Sequence, residues 1–167
     1  IRDRTRALVI VNPNKPTGSL YDGRTLKQML DIAAEHRLLV MSDEIYDRLV
    51  YDSKFTSTAS LAKDIPVIGL NGFSKTYVMT GWRLGYMYFH DPKNTLEGLK
   101  EAILKEGRIR LCTPTPIQHA GVQALRGSQK QAAEMVSKLK KRRDHFLQRI
   151  RSIPGLTCTS PKAAFYL

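Results

Sequence analysis

An α/β fold with a mainly parallel sheet is what this sequence predicts, from three features. Short apolar runs occur at 7–11 (ALVIV, rich in β-branched residues), 38–41 (LLVM) and 67–70 (VIGL), and each is closed by polar or turn-forming residues. An amphipathic helical stretch separates the first two runs, the spacing of a βαβ unit. A run of helices follows the strands instead of alternating with them, so the sheet is only part of the architecture.

The elements follow in order. Residues 7–11 form a buried strand that stops at Asn12-Pro13, and the two prolines and glycine of 12–18 (NPNKPTG) make a rigid loop. A helix is expected over 23–36 with Asp22 as its N-cap, because Leu26, Met29, Leu30 and Ala33 share one face. Residues 38–41 and 67–70 are the next strands. The run at 84–89 (LGYMYF) is a fourth. Its connection, 76–83, is too short for a crossover helix and is expected to be loop, with Gly81 and Trp82 shaping the turn and filling the core. The fourth strand therefore enters antiparallel. Helices follow at about 94–107 and from Thr113-Pro114-Thr115-Pro116 to about Arg126. Ser128 is expected to cap a long helix reaching about Ser152, with Ala132, Val136, Leu139, Phe146 and Ile150 as its apolar stripe. Pro154-Gly155 ends it, and 156–159 and 163–167 are expected to be strands. The chain starts almost directly in a buried strand and stops on an apolar run, which predicts a piece of a longer protein.

Composition narrows the function classes. With 167 residues, 42% of them hydrophobic and 25% charged, the chain has the material for one ordinary domain with a core and does not have the bias of a disordered segment. Its apolar runs are too short to cross a bilayer, so no membrane partner is expected. The 2 cysteines, Cys112 and Cys158, form no CxxC, and the 4 histidines no HExxH, so neither a disulfide framework nor a metal site is expected, and a reducing, cytoplasmic compartment is. The formal charge of +12 invites a nucleic-acid reading, but it concentrates in helical stretches such as 138–143 (KLKKRR), where a solvated face is the simpler account.

Polar groups gather just beyond the C-terminal ends of the predicted strands: 12–18 after the first, Asp43 and Tyr46 after the second, Ser74 and Lys75 after the third. Ligands of open α/β sheets bind outside those ends. A lysine amine that can bond a carbonyl carbon, a carboxylate, a phenol, a hydroxyl and a guanidinium are together the groups that pyridoxal phosphate needs.

Three segments make the resemblance specific: Asn12-Pro13-Asn14-Lys15-Pro16-Thr17-Gly18, Asp43-Glu44-Ile45-Tyr46, and Ser74-Lys75-Thr76 with Thr80-Gly81-Trp82-Arg83-Leu84-Gly85-Tyr86. In this order and spacing they resemble the signatures of class I/II pyridoxal-phosphate-dependent aminotransferases of the aspartate aminotransferase fold. Residues 161–166 (PKAAFY) resemble the PxGAFY that opens the family's small domain, with Ala for Gly. The resemblance implies the central part of a fold-type I enzyme: 1–127 as part of the large cofactor-binding domain, and 128–167 as the connecting helix and the start of the small C-terminal domain. It implies Lys75 as the residue that bonds the cofactor as a Schiff base and moves the catalytic proton. It further implies Asp43 as partner of the pyridine nitrogen, Tyr46 as donor to the ring oxygen, and Ser74 and Arg83 as phosphate ligands. The family has Asn where Lys15 stands; lysine is also a donor to the anionic ring oxygen and substrate carboxylate. The arginine that reads the substrate carboxylate lies beyond this C-terminus in the family, so this piece alone is expected to be inactive.

The expected activity of the parent is amino-group transfer between an amino acid and a 2-oxo acid, in a homodimer. Two alternatives stay open on the residues: a pyridoxal-phosphate lyase of the same fold (a carbon–sulfur lyase or an aminocyclopropane-carboxylate-synthase-like enzyme), which needs the same lysine, carboxylate and phenol, and a non-enzymatic regulator domain.

Overall fold

The computed structural model describes residues 1–109 and 111–167. Four strands form one sheet: β1 (Ala7–Val11), β2 (Leu39–Asp43), β3 (Val67–Gly72) and β4 (Gly85–His90), lying side by side in chain order. β1, β2 and β3 are parallel and β4 is antiparallel to β3, as the short 76–83 connection requires. That connection holds a short 3₁₀ turn, Thr80–Trp82. Val11 pairs with Asp43 and Asp43 with Leu70, so the loops after three strands leave from one edge of the sheet.

The crossover from β1 to β2 is α1 (Gly23–Glu35). Asp22 caps it, with Oδ1 accepting from Thr25 N at 2.7 Å. Leu26, Leu30 and Ala33 recur at helical spacing and are buried against Ile10, Leu38, Val40, Ala62 and Val67. Each fully buried leucine contributes about 1.5–3 kcal/mol relative to an exposed one, and this contact fixes α1 on the sheet.

Three helices follow: α2 (Glu97–Ile109), α3 (Thr115–Arg126, with Pro116 in its first turn) and α4 (Lys130–Arg151). Around α4 and beyond it the structure departs from what the sequence predicts. The residue flanking α4 is Gln129, which gives no side-chain cap; Ser128 Oγ accepts from Lys130 N at 3.3 Å. The buried positions of α4 are Arg143 and Leu147, whereas Phe146 is half exposed. Arg143 enters the interior because its charge is matched there: its guanidinium donates to Asp52 at 2.8 Å and Pro161 O at 3.0 Å and lies 4.6 Å from the centre of the Tyr51 ring. Neither 156–159 nor 163–167 is a strand; the latter makes one isolated bridge, Val50 with Ala163. Trp82 is 48% exposed and does not fill the core.

Asp91 anchors the approach to α2. Its carboxylate accepts from Thr95 N at 2.8 Å and Leu96 N at 2.9 Å, and pairs with Lys100 at 3.1 Å. Desolvation pushes this carboxyl up, but the amides of Leu96 and Thr95 and the Lys100 ammonium together outweigh it and hold the group at about 2, below its ordinary 3.8. A carboxyl lowered in the folded state stabilises the fold above its unfolded value, and that contribution is lost as pH falls through about 2. Asp91→Asn is therefore expected to flatten the decline of the thermal midpoint between about pH 4 and pH 2, read by circular dichroism melts across that window; parallel acid limbs for the two proteins would contradict it.

Candidate functional site

The alternation of β2 sorts the residues of the Asp43-Glu44-Ile45-Tyr46 segment. Val40, Ser42 and Glu44 are buried on one side, and Asp43 faces the other. Asp43 Oδ1 accepts from Ile45 N at 3.1 Å, which turns the chain away from the sheet, and Oδ2 has no hydrogen-bond partner among the described residues. The turn brings Tyr46 into the interior, where it is 1% exposed among Leu49, Ala164, Ile45 and Tyr166.

Lys75 leaves the end of β3 after Phe73-Ser74. Phe73 N donates to Leu84 O at 3.2 Å, so the loop folds back over the start of β4. The Lys75 ammonium lies 5.9 Å from the Tyr46 ring centre and 5.8 Å from that of Phe165, to one side of these two rings, which meet edge-on 5.5 Å apart. The Tyr46 hydroxyl is 2.8 Å from that of Tyr166. Burial first, with the neighbouring Tyr166 and Asp43 groups adding to it, pushes the Tyr46 phenol well above its ordinary range, so it stays neutral. Beside Lys75, Thr76 Oγ1 is buried without a protein partner among the described residues.

The other sequence-predicted groups are not in this contact set. Ser74 is half-buried, with no side-chain hydrogen bond among the described residues, and Lys15 is exposed on its loop. Arg83, in the left-handed region at φ 53°, donates to Thr80 O at 2.8 Å. With Trp82, Cys112, Thr113 and Pro114 it lines a cleft of about 610 Å³ that includes none of Lys75, Asp43 or Tyr46. Asn12 and Asn14 shape their loop: Asn12 Oδ1 accepts from Tyr21 N at 2.9 Å and Asn14 Oδ1 from Thr17 Oγ1 at 2.7 Å.

The core of the site fits the pyridoxal phosphate that the resemblance implies. An amine rests against a pair of aromatic rings, with a neutral phenol at its side and a carboxylate with one unclaimed oxygen on the neighbouring strand. Among the described residues no three His, Cys, Asp or Glu side chains are placed to hold a metal, and no helix is long and apolar enough to cross a membrane.

Three residues escaped the sequence reading as parts of this region. Phe165 and Tyr166 come from the far end of the chain, and only their place in the PKAAFY segment could have flagged them. The third is Glu44, 3% exposed, whose Oε1 accepts from Ser42 Oγ and Ser57 Oγ at 3.1 Å and Thr58 N at 2.9 Å, while Oε2 accepts from Tyr88 OH at 2.9 Å. The Tyr88 ring reaches Glu44 by lying across Gly69, where an added Cβ would come within 2.0 Å of it. Burial above all, helped by the Glu44 carboxylate, pushes the Tyr88 hydroxyl up to about 12. This knot fixes the strand end that presents Asp43.

The family model for aminotransferase class I and II matches residues 1–167. The glutamate-pyruvate aminotransferase AlaA of Escherichia coli (strain K12) is 38% identical over 171 residues, covering 100% of this chain and 42% of that protein. The alanine aminotransferase of Mycobacterium tuberculosis (strain ATCC 25618 / H37Rv) is 39% identical, covering 99% of this chain and 39% of that protein. Among solved structures, the alanine aminotransferase from Pyrococcus furiosus superposes with a TM-score of 0.95 at 51% identity, covering 98% of this chain and 42% of that one. The chain thus spans about two fifths of the length of the curated relatives it matches.

Glu44→Gln keeps the shape of the knot but replaces an acceptor oxygen by a donor and removes the charge that four hydrogen bonds favour. A loss of about 2–3 kcal/mol of folding stability is expected from urea denaturation; an unchanged midpoint would show that the knot does not anchor the strand end.

Proposed function

The chain belongs to the aminotransferase class I and II family, and we propose that its parent protein transfers an amino group between an amino acid and a 2-oxo acid using pyridoxal phosphate bonded to Lys75. The observation that carries this reading is the placement of the Lys75 amine against the paired rings of Tyr46 and Phe165, just past the end of β3. The relatives, glutamate-pyruvate and alanine aminotransferases by name, support alanine and glutamate as amino donors, with pyruvate as one of the 2-oxo acids.

Pyridoxal phosphate, when bound, supplies the electron sink that makes the substrate's α-proton removable. Everything else falls to the protein. Lys75 would provide the amine that bonds the cofactor and, when its amine is free, the base that moves a proton between the substrate's α-carbon and the cofactor carbon two bonds beyond it. The carboxylate of Asp43 can keep a ring nitrogen protonated through its unclaimed oxygen. Tyr46 can donate to an anionic ring oxygen, a role that needs its phenol neutral. Ser74 and Arg83 would hold the phosphate, the guanidinium bidentately once it leaves Thr80 O and turns from its separate cleft, and Lys15 would offer a further donor where the family carries Asn. In this reading residues 1–127 are part of the large domain, and 128–167 are the connecting helix and the start of the small one. The parent is a cytoplasmic homodimer, which fits free Cys112 and Cys158 and the preference of such sites for interfaces.

The full-length protein is expected to carry a visible cofactor band. Addition of alanine without a 2-oxo acid should convert it to the amine form with release of one pyruvate per site. Lys75→Ala should lower turnover by at least about a thousandfold. Ammonia released with no conversion of the cofactor would favour elimination instead, and a protein without any cofactor band would overturn the reading.

A further inference from the structure

The contact between Tyr46 and Tyr166 joins residues 120 positions apart, at 2.8 Å between hydroxyl oxygens. The first of these rings is not free to swing. The Tyr46 ring is 1% exposed and meets the rings of Phe165 and Tyr166 edge-on, at 78° and 79°. What remains undetermined at Tyr46 is the direction of its O–H, and a neighbouring hydroxyl decides that.

The segment that brings Tyr166 is firmly held. Lys162 N and Ala163 N both donate to Gly18 O, at 2.9 and 3.0 Å, and Ala164 N donates to Leu49 O at 2.8 Å. Tyr51 OH donates to Ala164 O, and Arg143 holds Pro161 O. Gly18 has no room for a side chain, since an added Cβ would lie 2.5 Å from Pro161 Cβ. Ala164 stands in the left-handed region at φ 59°, unusual for a residue with a side chain, and the turn there carries Phe165 and Tyr166 towards Tyr46. A strained residue between so many backbone anchors indicates that the placement of the next two side chains is enforced.

We infer that Tyr166 is a positioning residue for the cofactor site: its hydroxyl donates to the oxygen of Tyr46, leaving the Tyr46 proton free to be offered to the cofactor. The inference rests on the function proposed above. The charged and titratable groups facing the Tyr46 phenol are Asp43, Tyr166 and the Lys75 ammonium. Of these only Tyr166 can donate a proton at hydrogen-bond distance. Donation into the Tyr46 oxygen also strengthens Tyr46 as a donor, because hydrogen bonds in a chain polarise one another. The same contact ties the 161–166 segment, the start of the small domain in the proposed reading, to the floor of the site.

The test is a double-mutant cycle in the full-length, cofactor-loaded protein, comparing Tyr166→Phe, Tyr46→Phe and the double variant by pH titration of the cofactor's absorbance. A hydrogen bond donated to the ring oxygen favours its anionic form and opposes protonation, so Tyr46→Phe raises the midpoint. Tyr166→Phe should raise it by a smaller amount, about half a pH unit for one weakened neutral hydrogen bond, and the double variant should match Tyr46→Phe alone. Tyr166→Gln, which restores a donor on a shorter side chain, should bring the midpoint part of the way back. An unmoved midpoint in Tyr166→Phe, or shifts that simply add in the double variant, would overturn the inference while leaving the function intact. Loss of the cofactor band in the unmodified protein would instead overturn the function itself.

Discussion

Parallel pairing of β1, β2 and β3 is the constraint on which the rest depends. It places Val11 beside Asp43 and Asp43 beside Leu70, so three loops rich in polar residues open at one edge of the sheet. A hairpin between any two of these strands would send their loops to opposite ends. The βα crossover makes the parallel arrangement possible, and burial of Leu26, Leu30 and Ala33 holds α1 against the sheet that α1 itself orders. The site is thus a consequence of topology first and of side-chain chemistry second.

At that edge the chemistry is divided by the alternation of β2. Asp43 turns to the side where an oxygen stays unclaimed; Glu44 turns to the other and has its oxygens filled by Ser42, Ser57, Thr58 and Tyr88. Adjacent carboxylates therefore serve opposite ends. The satisfied one is structural, because a buried charge is tolerable only when its hydrogen bonds are made. The unsatisfied one is available to a ligand. Gly69 belongs to the same logic: without its bare Cα, the Tyr88 ring could not cross β3 to reach Glu44.

Much of this was legible in the sequence because it rests on local rules. The short apolar runs gave the strands, the 3.6-residue spacing of Leu26, Leu30 and Ala33 gave α1, and the shortness of 76–83 gave the antiparallel entry of β4. The nearness of Lys75 and Tyr46 followed from the strand ends and the resemblance of the motifs. The misreadings have a common physical origin in tertiary partners. Arg143 is buried on α4 because Asp52, Pro161 O and the Tyr51 ring receive it, none of which a helical periodicity can anticipate. Residues 163–167 read as a strand by composition, yet their backbone is claimed by Gly18 and Leu49, so they form a docked segment instead. Tyr166 was invisible for the same reason: its partner is 120 residues away.

The central claim, that Lys75 is the residue to which the cofactor is bonded, is open to a direct chemical measurement. Borohydride reduction of the cofactor-loaded, full-length protein makes the bond between cofactor and lysine permanent, and peptide mass spectrometry then locates the added mass. The account predicts that mass on the peptide containing Ser74-Lys75-Thr76 and its disappearance in Lys75→Ala. The same mass on Lys15 or any other lysine, with the Lys75 peptide unmodified, would contradict it.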